Sequence, residues 1–527
     1  MNRARTPRPA RTSAAGPDVL LTLALALAGA YVLAFVVVAI ARLSYPFELE
    51  WLEGVVLEHV RRVLDGQPVY VAPSLDFVPL NYTPLYYYVS AAVAAVLGSG
   101  FVPLRLVSLL ASLGLLALIA SLVRRETGRW SAGVLAAGLF AATYRRGGAW
   151  LDIARADSLY LLLLLAGACA LRWEPRRVRG PLLAAGLWTL AFLAKQSAPV
   201  VLAPLVIWSL VREPRRGAVL AGALAAGCGL SFLALDAAHH GWFRYYVLDV
   251  AGRHAVDWTL ALNFPLRYLP WVLIALGLGA AALEGAARVE RETREFYTFF
   301  FAGLIASAWH LTLYRGGYDN VLLPAFLAAA LAGGLGWGWI ATAPRAGAAT
   351  PAPRPAPASA PRPAAGARAR LVATLAFVVQ LALLAWDPIA QIPSRADRME
   401  GQHLVETLEN LPGRLFIPSH DYLARRAGRP PTANLMPLMD VVKGGDGPVE
   451  RGLWQALRDS LATRAWGAVV LDSKDWLLEE VQTAGYQVIA RPFNRPDVFW
   501  PRTGMRSRPE WVLVPLESVP RDTTRGR

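Results

Sequence analysis

Long, uncharged apolar segments recur along most of this chain and constrain its fold more than any other feature. Each is long enough, or nearly so, to cross the hydrocarbon core of a bilayer as a helix, and a helix satisfies its own backbone in lipid. Hydrophobic residues make up 55% of the 527 positions and charged residues only 17%, which is too apolar for a soluble chain of this length. The pattern predicts an α-helical polytopic membrane protein with about eleven spans, at residues 19–41, 102–123, 131–144, 156–172, 180–194, 197–211, 217–235, 266–284, 296–314, 319–341 and 370–387.

A shorter apolar stretch, Leu85–Leu97, decides on which side every later loop lies. If it lies along the membrane surface, the arginine clusters fall in the loops on the side of the basic N-terminus, as the positive-inside rule requires. If it spans, most of those clusters fall outside. We therefore expect an interfacial helix here, in a multi-pass membrane protein. The N-terminal tail 1–18 is then cytoplasmic, and 19–41 is a retained anchor because it is longer than the apolar core of a signal peptide.

Composition divides the rest of the chain. A transmembrane domain is expected over 19–342, with a first outside loop at 42–101 that contains a helical pattern at 54–64. Residues 343–369 are rich in Pro, Ala and Arg, which predicts a disordered cytoplasmic linker before the last span at 370–387.

Residues 393–527 are more polar and predict a small extracytoplasmic α/β domain. A stabilising role is the simplest reading of this domain, and acceptor binding or a lid are the alternatives. Its predicted strands lie at 414–418, 467–471, 486–490 and 511–515, and its predicted helices at 449–463 and 476–485.

Several functional classes are disfavoured. The net charge of +15 comes from short basic clusters between apolar segments, so the bilayer and not nucleic acid is the expected partner. Cys169 and Cys228 lie in apolar segments, where we expect them to pack as small hydrophobic residues. The sequence therefore predicts no disulfide framework. The sequence contains no Walker loop, dinucleotide fingerprint or serine nucleophile elbow, which weighs against an ATP-driven pump or a hydrolase.

Three carboxylates, Glu48, Glu50 and Glu53, follow directly after the first span. At a membrane surface such groups must be solvated, paired or used in chemistry. Taken alone, they would fit the solvated start of an interfacial helix. They are followed by a helical pattern ending in Gly and Tyr, and then by Pro-Leu-Asn-Tyr-Thr-Pro-Leu-Tyr-Tyr-Tyr at 79–88, which contains Tyr82, Tyr86 and Tyr87.

This order of motifs resembles the first outside loop of the GT-C membrane glycosyltransferases, especially the bacterial relatives of protein O-mannosyltransferases and the lipid A aminoarabinose transferases (glycosyltransferase family 39). The likeness continues through Ala-Arg-Ala-Asp at 154–157, Ala-Lys-Gln at 194–196 and Tyr-Asp-Asn-Val-Leu-Leu-Pro at 318–324, so it covers the membrane region to about residue 340. The family often has Asp-Glu where this chain has Leu52-Glu53, which leaves Glu53 or Glu50 as the expected base.

The resemblance implies a hexosyltransferase of the bacterial inner membrane that moves a sugar, with inversion, from a polyprenyl-phosphate donor to an extracytoplasmic glycan, lipid or protein. A carboxylate would accept the proton of the acceptor hydroxyl while cations hold the phosphate leaving group. Glu53 is the first choice as base and Glu50 the second. Asp157 corresponds to a second acidic position of the family, although pairing with Arg155 at a helix start explains it equally well. The resemblance and the charges place donor phosphate binding at Lys195, Arg253, His254 and Arg315, with Asp319 as the structural partner of Arg315, and a substrate loop at Tyr82, Tyr86 and Tyr87.

The sequence leaves other matters open. His239 and His240 are adjacent and do not have the helical spacing that brings two imidazoles to one metal ion. Some relatives use a divalent ion held by acidic residues, so a metal cofactor stays an open question, as does the oligomeric state. A transporter or flippase for lipid-linked sugars and a non-catalytic membrane scaffold are the rival functions, although no inverted repeat is evident and the candidate charges lie at helix ends.

Overall fold

The computed structural model describes residues 15–285, 289–342, 363–472 and 477–516. Within these ranges the chain is mostly helical, with one small sheet near the C-terminus. The helices are α1 Ala15–Leu43, α2 Glu53–Leu64, α3 Leu85–Leu97, α4 Phe101–Thr127, α5 Trp130–Ala142, α6 Asp157–Trp173, α7 Arg179–Ala194, α8 Ala198–Arg212, α9 Pro214–Ala238, α10 Trp242–Arg244, α11 Leu273–Gly285, α12 Arg291–Leu311, α13 Leu323–Thr342, α14 Pro363–Leu383, α15 Arg395–Glu409, α16 Tyr422–Arg426, α17 Leu435–Val442, α18 Pro448–Ala462 and α19 Leu478–Thr483. The strands are β1 Leu415–Phe416, β2 Ala468–Asp472, β3 Tyr486–Ala490 and β4 Pro509–Pro515.

Each apolar segment that was predicted to span the membrane lies on a helix. Among the described residues, six helices are both long enough and apolar enough to cross a bilayer, and a further group is apolar but shorter. The protein is therefore a multi-pass membrane protein, while the number of eleven spans stays a prediction. The six long spans are Val19–Leu43, Phe101–Thr127, Pro214–Ala238, Trp258–Glu284, Asp319–Ala341 and Gly366–Leu383.

The short apolar stretch Leu85–Leu97 forms helix α3, as expected. Its 13 residues give a helix about 20 Å long at 1.5 Å per residue. That is well short of the roughly 30 Å hydrocarbon core. The helix packs against α2 and α4. Its length fits the interfacial placement, and the side of the membrane on which it lies stays a prediction.

Helix α13 is the central element of the membrane region. Of its most apolar 18-residue window, 94% is buried, and it packs against α4, α5, α11, α12 and α14. Glycines let these neighbours approach closely: a Cβ at Gly334 would lie 2.5 Å from the Cβ of Ala136, and one at Gly336 would lie 2.4 Å from the carbonyl oxygen of Leu278. Small residues at such contacts are typical of helix packing in membranes, where dispersion contacts replace the hydrophobic effect.

A buried ion pair joins the end of α1 to the connection between α5 and α6. The guanidinium of Arg42 donates to both carboxylate oxygens of Asp152 and, at 2.7 Å, to the carbonyl oxygen of Ala149. Tyr144 donates its hydroxyl to Asp152 at 2.8 Å. Arg42 has no exposed surface, so every one of these contacts is shielded from solvent. The pair holds residues 143–157 against the loop that carries the three carboxylates.

The C-terminal segment contains a four-stranded sheet in the order β1-β2-β4-β3. Strands β1 and β2 are parallel, and the other neighbours are antiparallel. All four predicted strands are present within two residues of their expected limits, and α18 occupies the helix predicted at 449–463. The helix predicted at 476–485 corresponds to α19, although Trp476 itself lies outside the described residues.

Two predicted boundaries differ from the structure. Helix α14 begins at Pro363, inside the linker predicted at 343–369, because Ala-rich sequence at its end continues the helix of the last span. Helix α1 begins at Ala15, inside the predicted tail 1–18. Residues 1–14 and 343–362 lie outside the described residues.

The topology can be tested by single-cysteine labelling with a membrane-impermeant maleimide. In a Cys169→Ala, Cys228→Ala background, we expect Gln67→Cys in the first loop to be labelled in intact spheroplasts. Arg177→Cys, between α6 and α7, should be labelled only in inverted vesicles, since both side chains are exposed and only the membrane separates them. Labelling of both positions from the same side would contradict the interfacial placement of α3.

Candidate functional site

A cavity of about 810 Å³ lies where the first loop meets the connections between the middle helices and helix α17. Its volume is typical of small-molecule sites. All of the predicted site residues except Glu53 and Arg253 line it. They are Glu50, Asp157, Lys195, His254, Arg315, Tyr82, Tyr86 and Tyr87.

Glu50 is the carboxylate of the acidic motif that reaches the cavity. Its side chain is fully buried, and its Oε2 accepts hydrogen bonds from Arg155 Nη1 at 3.1 Å and from the backbone of Leu52 at 3.2 Å. Its Oε1 has no hydrogen-bond partner among the described residues. Burial raises the pKa of Glu50 to about 8, and the charge of Arg155 opposes that rise only in part. A carboxyl with a free oxygen and a pKa near neutrality is suited to proton transfer.

Glu53, the first choice as base from the sequence, does not line the cavity. It is fully buried, and its two oxygens accept from Arg105 at 3.0 and 2.6 Å and from the backbones of Leu49 and Ala154 at 2.6 Å each. Burial alone would raise the pKa of Glu53, but Arg105 and these hydrogen bonds outweigh it, and the pKa is lowered. Every lone pair that could accept a substrate proton is occupied, so the geometry gives Glu53 a positioning role.

Asp157 begins helix α6 and faces the cavity beside Lys195. Lys195 Nζ donates to Asp157 Oδ1 at 2.6 Å, and Asn320 Nδ2 donates to the same oxygen at 3.1 Å. The alternative interpretation of the sequence was that Asp157 pairs with Arg155. In the structure Arg155 pairs with Glu50 instead. The two ion pairs therefore lie side by side on the wall, each joining residues that are distant in sequence.

The other predicted cations divide into two groups. Arg315 lies on the cavity and pairs with Asp257 at 2.7 Å, so the expected pairing with Asp319 is wrong. Arg253 does not line the cavity, because its guanidinium turns to Glu450 of α18 at 2.7 Å.

His254 faces the cavity and approaches two residues of its wall. Its Nε2 lies 3.6 Å from Asp440 of α17 and 3.4 Å from the amide nitrogen of Asn81. Hydrogen bonding to Asp440 raises the pKa of His254. Arg253 and His254 therefore connect the same loop to two helices of the C-terminal segment.

The three predicted tyrosines have different surroundings. The Tyr82 hydroxyl accepts from Arg155 at 3.4 Å. Tyr86 donates its hydroxyl to the carbonyl oxygen of Leu104 at 2.7 Å, which fixes α3 against α4. The Tyr87 hydroxyl is buried and has no hydrogen-bond partner among the described residues.

Further lining residues were not singled out from the sequence. Trp150 and Tyr318 stack with ring centroids 6.3 Å apart, and Asn81 and Arg155 also line the cavity. Arg155 and Tyr318 belong to motifs that were noted, so their position in those motifs was an available signal. Met436 and Asp440 come from α17, and Asp440 lies 359 positions after Asn81 of the first loop. No local pattern marks them.

The C-terminal segment is joined directly to the acidic motif. His420 is buried, and its Nδ1 lies 2.6 Å from Glu48 Oε2 while its Nε2 lies 3.4 Å from Asp472 Oδ1. Burial would lower the pKa of His420, but the two carboxylates outweigh it and raise the pKa to about 10. The backbone of Thr503 donates to the carbonyl oxygen of Leu49 at 3.1 Å. These contacts place the loop that contains Gly504 against Glu50.

The described residues contain no group of three or more His, Cys, Asp and Glu side chains arranged to hold a metal ion. The carboxylates of the cavity each face a cation instead, as in the pairs of Glu50 with Arg155 and Asp157 with Lys195. This donor set does not fit a divalent ion, so no chemical step is assigned to one.

Comparisons with known proteins agree with this architecture. The family model for dolichyl-phosphate-mannose-protein mannosyltransferase matches residues 81–242, which is less than half of the chain. The crystal structure of ArnT from Cupriavidus metallidurans bound to undecaprenyl phosphate covers 95% of this chain and 98% of its own, with 12% identity and a TM-score of 0.57. The apo structure of the same protein covers 92% and 98%, with 14% identity and a TM-score of 0.51. No curated protein sequence matches significantly.

The chain therefore has the fold of the GT-C membrane glycosyltransferases, and the resemblance inferred from its motifs is confirmed. The structural likeness extends over nearly the whole chain and includes the C-terminal segment. At this level of identity the structural likeness defines the fold alone. The donor and the acceptor have to be inferred from the site.

The different surroundings of the two carboxylates predict opposite effects on stability. At pH 7, Glu53→Gln should lower the free energy of unfolding by about 3–5 kcal/mol, because it leaves the buried Arg105 without its counter-charge. Glu50→Gln should change it little, since the raised pKa of Glu50 means that a neutral amide replaces a largely neutral carboxyl. Thermal unfolding of both variants in detergent measures the difference. Equal losses in both would contradict the positioning role of Glu53.

Gly504 provides a test of the contact between the C-terminal segment and the site. Its φ of +75° favours glycine, and a Cβ there would lie 2.8 Å from Trp51 and 3.0 Å from Glu50 Oε1. Gly504→Ala should therefore displace the acidic motif and reduce transfer activity at least tenfold. Gly428→Ala is the matched control, because Gly428 also has a positive φ, of +68°, but a Cβ there meets open space. Equal activities of the two variants would show that the contact with Glu50 is unimportant.

Proposed function

We propose that this protein is a glycosyltransferase that transfers a sugar from a polyprenyl-phosphate donor to an acceptor hydroxyl outside the cytoplasm. The observation that carries the proposal is the free Oε1 of Glu50 on a cavity wall that also presents Arg155, Lys195 and Arg315. A base and several cations on one wall are what sugar transfer from a phosphate ester requires. The GT-C fold supports this assignment.

The reaction would be a displacement at the anomeric carbon. The acceptor oxygen forms the new bond to that carbon while its proton moves to Glu50 Oε1. The bond from the anomeric carbon to the phosphate oxygen breaks, and its electron pair leaves with polyprenyl phosphate. Inversion at the anomeric carbon, which is also what the resemblance implies, follows if the acceptor attacks from the side opposite the phosphate.

Lys195 and Arg315 are the proposed ligands of the departing phosphate. Lys195 is held on the cavity wall by Asp157. Arg315 is 81% exposed and has Asp257 as its one ion-pair partner among the described residues, so it can turn toward an anion without breaking a network of buried bonds. Charge-assisted bonds from such groups stabilise the charge that develops on the leaving oxygen. His254 is a third candidate, since its pKa is raised and it faces the same space.

Arg155 is assigned a different role from the phosphate ligands. It is buried and bridges Glu50 and the Tyr82 hydroxyl. This bridge fixes Oε2 of Glu50 and leaves Oε1 without a hydrogen-bond partner among the described residues. Arg253 is no longer proposed as a phosphate ligand, because Glu450 holds it off the cavity.

Glu50→Gln should lower the rate of sugar transfer by about 100-fold or more, the usual contribution of a general base. The assay follows transfer of radiolabelled sugar from a polyprenyl-phosphate donor in membranes that contain the full-length protein. Glu406→Gln, on the exposed face of α15, is the matched control and should keep full activity. Full activity of Glu50→Gln would remove this residue from the mechanism.

The pH dependence of transfer follows from the same carboxyl. Because the pKa of Glu50 is raised to about 8, the side chain is mostly protonated at pH 6 and cannot accept a proton. The rate should therefore rise with pH and level off above about 8, and the rising limb should be absent from the residual activity of Glu50→Gln. A rate that falls between pH 6 and 8 would contradict the assignment of Glu50 as base.

A further inference from the structure

Besides Oε1 of the half-buried Gln196, five polar atoms on the cavity-lining residues lack a hydrogen-bond partner among the described residues. All five belong to side chains that are more than nine-tenths buried. Buried polar groups in native proteins are almost always paired, because an unpaired one loses its water without compensation. A cluster of them on one cavity therefore indicates a ligand that supplies the missing partners. The atoms are Glu50 Oε1, Trp51 Nε1, Asn81 Oδ1, Tyr87 Oη and Trp150 Nε1.

Aromatic rings surround part of this cluster. Trp150 stacks on Tyr318 at a centroid distance of 6.3 Å and an angle of 21°, and Trp51 meets the edge of the same tyrosine at 6.2 Å. We name Trp51, Trp150 and Tyr318 the aromatic cradle. It combines flat apolar faces with two indole N–H donors, a combination that suits a ligand with an apolar ring face and hydroxyls at its edge.

The cradle lies next to the groups proposed for phosphate binding. Tyr318 is two residues before Asn320, which donates to Asp157, the partner of Lys195. On the other side, Trp51 follows Glu50 directly, and the guanidinium of Arg155 lies 5.6 Å from the centroid of Trp150. A sugar in the cradle would therefore sit between the proposed base and the proposed phosphate ligands, where the bond that breaks must lie.

Charge limits which sugars the cradle can accept. Both carboxyls at the cradle already face a cation, Glu50 facing Arg155 and Asp157 facing Lys195, so neither is available to pair with an ammonium group. A cationic sugar would therefore bring an uncompensated charge into a buried site, which is costly. A hydroxyl both donates and accepts, and so matches the mixture of N–H donors, a phenol and amide and carboxyl oxygens.

We propose that the aromatic cradle binds the transferred sugar of the donor and selects an uncharged, hydroxyl-rich ring over an amino sugar. The proposal rests on the proposed function, because it places the sugar of a polyprenyl-phosphate donor in the same cavity. It assigns Trp51 and Trp150 as hydrogen-bond donors to ring hydroxyls and as specificity-determining residues.

Binding of three lipids to the full-length protein in nanodiscs tests the proposal without relying on transfer. The probes are undecaprenyl phosphate, its glucosyl ester and its glucosaminyl ester, which differs from the glucosyl lipid by an ammonium group in place of one hydroxyl. The wild-type protein should bind the glucosyl lipid at least about tenfold more tightly than either of the others, since each restored buried hydrogen bond contributes roughly that factor.

Two variants test whether the indole N–H groups cause the preference for the glucosyl lipid. Trp150→Phe and Trp51→Phe keep an aromatic ring but remove the N–H, so each should lose about tenfold in affinity for the glucosyl lipid and keep the affinity for undecaprenyl phosphate. Trp500→Phe, outside the cavity, is the control and should bind all three lipids as the wild type does.

Two results would overturn the inference and leave the proposed function intact. One is equal or tighter binding of undecaprenyl phosphate or the glucosaminyl lipid by the wild-type protein. The other is a full glucosyl preference in both tryptophan variants. If the wild-type protein binds none of the three lipids, the proposed function fails and the inference fails with it.

Discussion

The buried pair of Glu53 and Arg105 sets the geometry on which the cavity depends. Arg105, on α4, also donates to the carbonyl oxygens of Tyr45 and Phe47 at 2.6 Å each. Glu53 accepts from the backbone of Ala154, which precedes Arg155. One ion pair thus fixes the acidic motif, a membrane helix and the α5–α6 connection relative to each other. The cost of burying both charges is offset because almost every polar atom of the pair is hydrogen-bonded.

The elements of the fold could be predicted from the sequence because their signals are local. Apolar length located the helices of the membrane region, and alternation located strands such as Tyr486–Ala490, which has the predicted limits. The pairings across the cavity have no local signal. Glu50 and Arg155 are separated by 105 positions, and only the packing of α1, α4 and α5 brings them together.

Glu50 and Glu53 could not be distinguished as candidate bases from the sequence alone. Both lie in one motif, three positions apart, and both follow the same span. Burial and partners distinguish them: two oxygens of Glu53 are fully bonded, whereas one oxygen of Glu50 is free. The contribution of the C-terminal segment to the cavity could not be predicted from the sequence either. A stabilising role was the simplest expectation, yet α17 also supplies Met436 and Asp440 to the cavity wall, from a stretch that carries no recognisable motif.

His420 contacts Glu48 across 372 positions of the chain, so the acidic motif obtains this partner only when the C-terminal segment has been made. During synthesis, the first loop and most of the membrane helices exist before His420, Asp472 and Gly504 do. The cavity cannot take its final shape in that interval. A chain that ends before His420 therefore lacks the contacts that hold Glu48 and the loop of Gly504 beside the acidic motif.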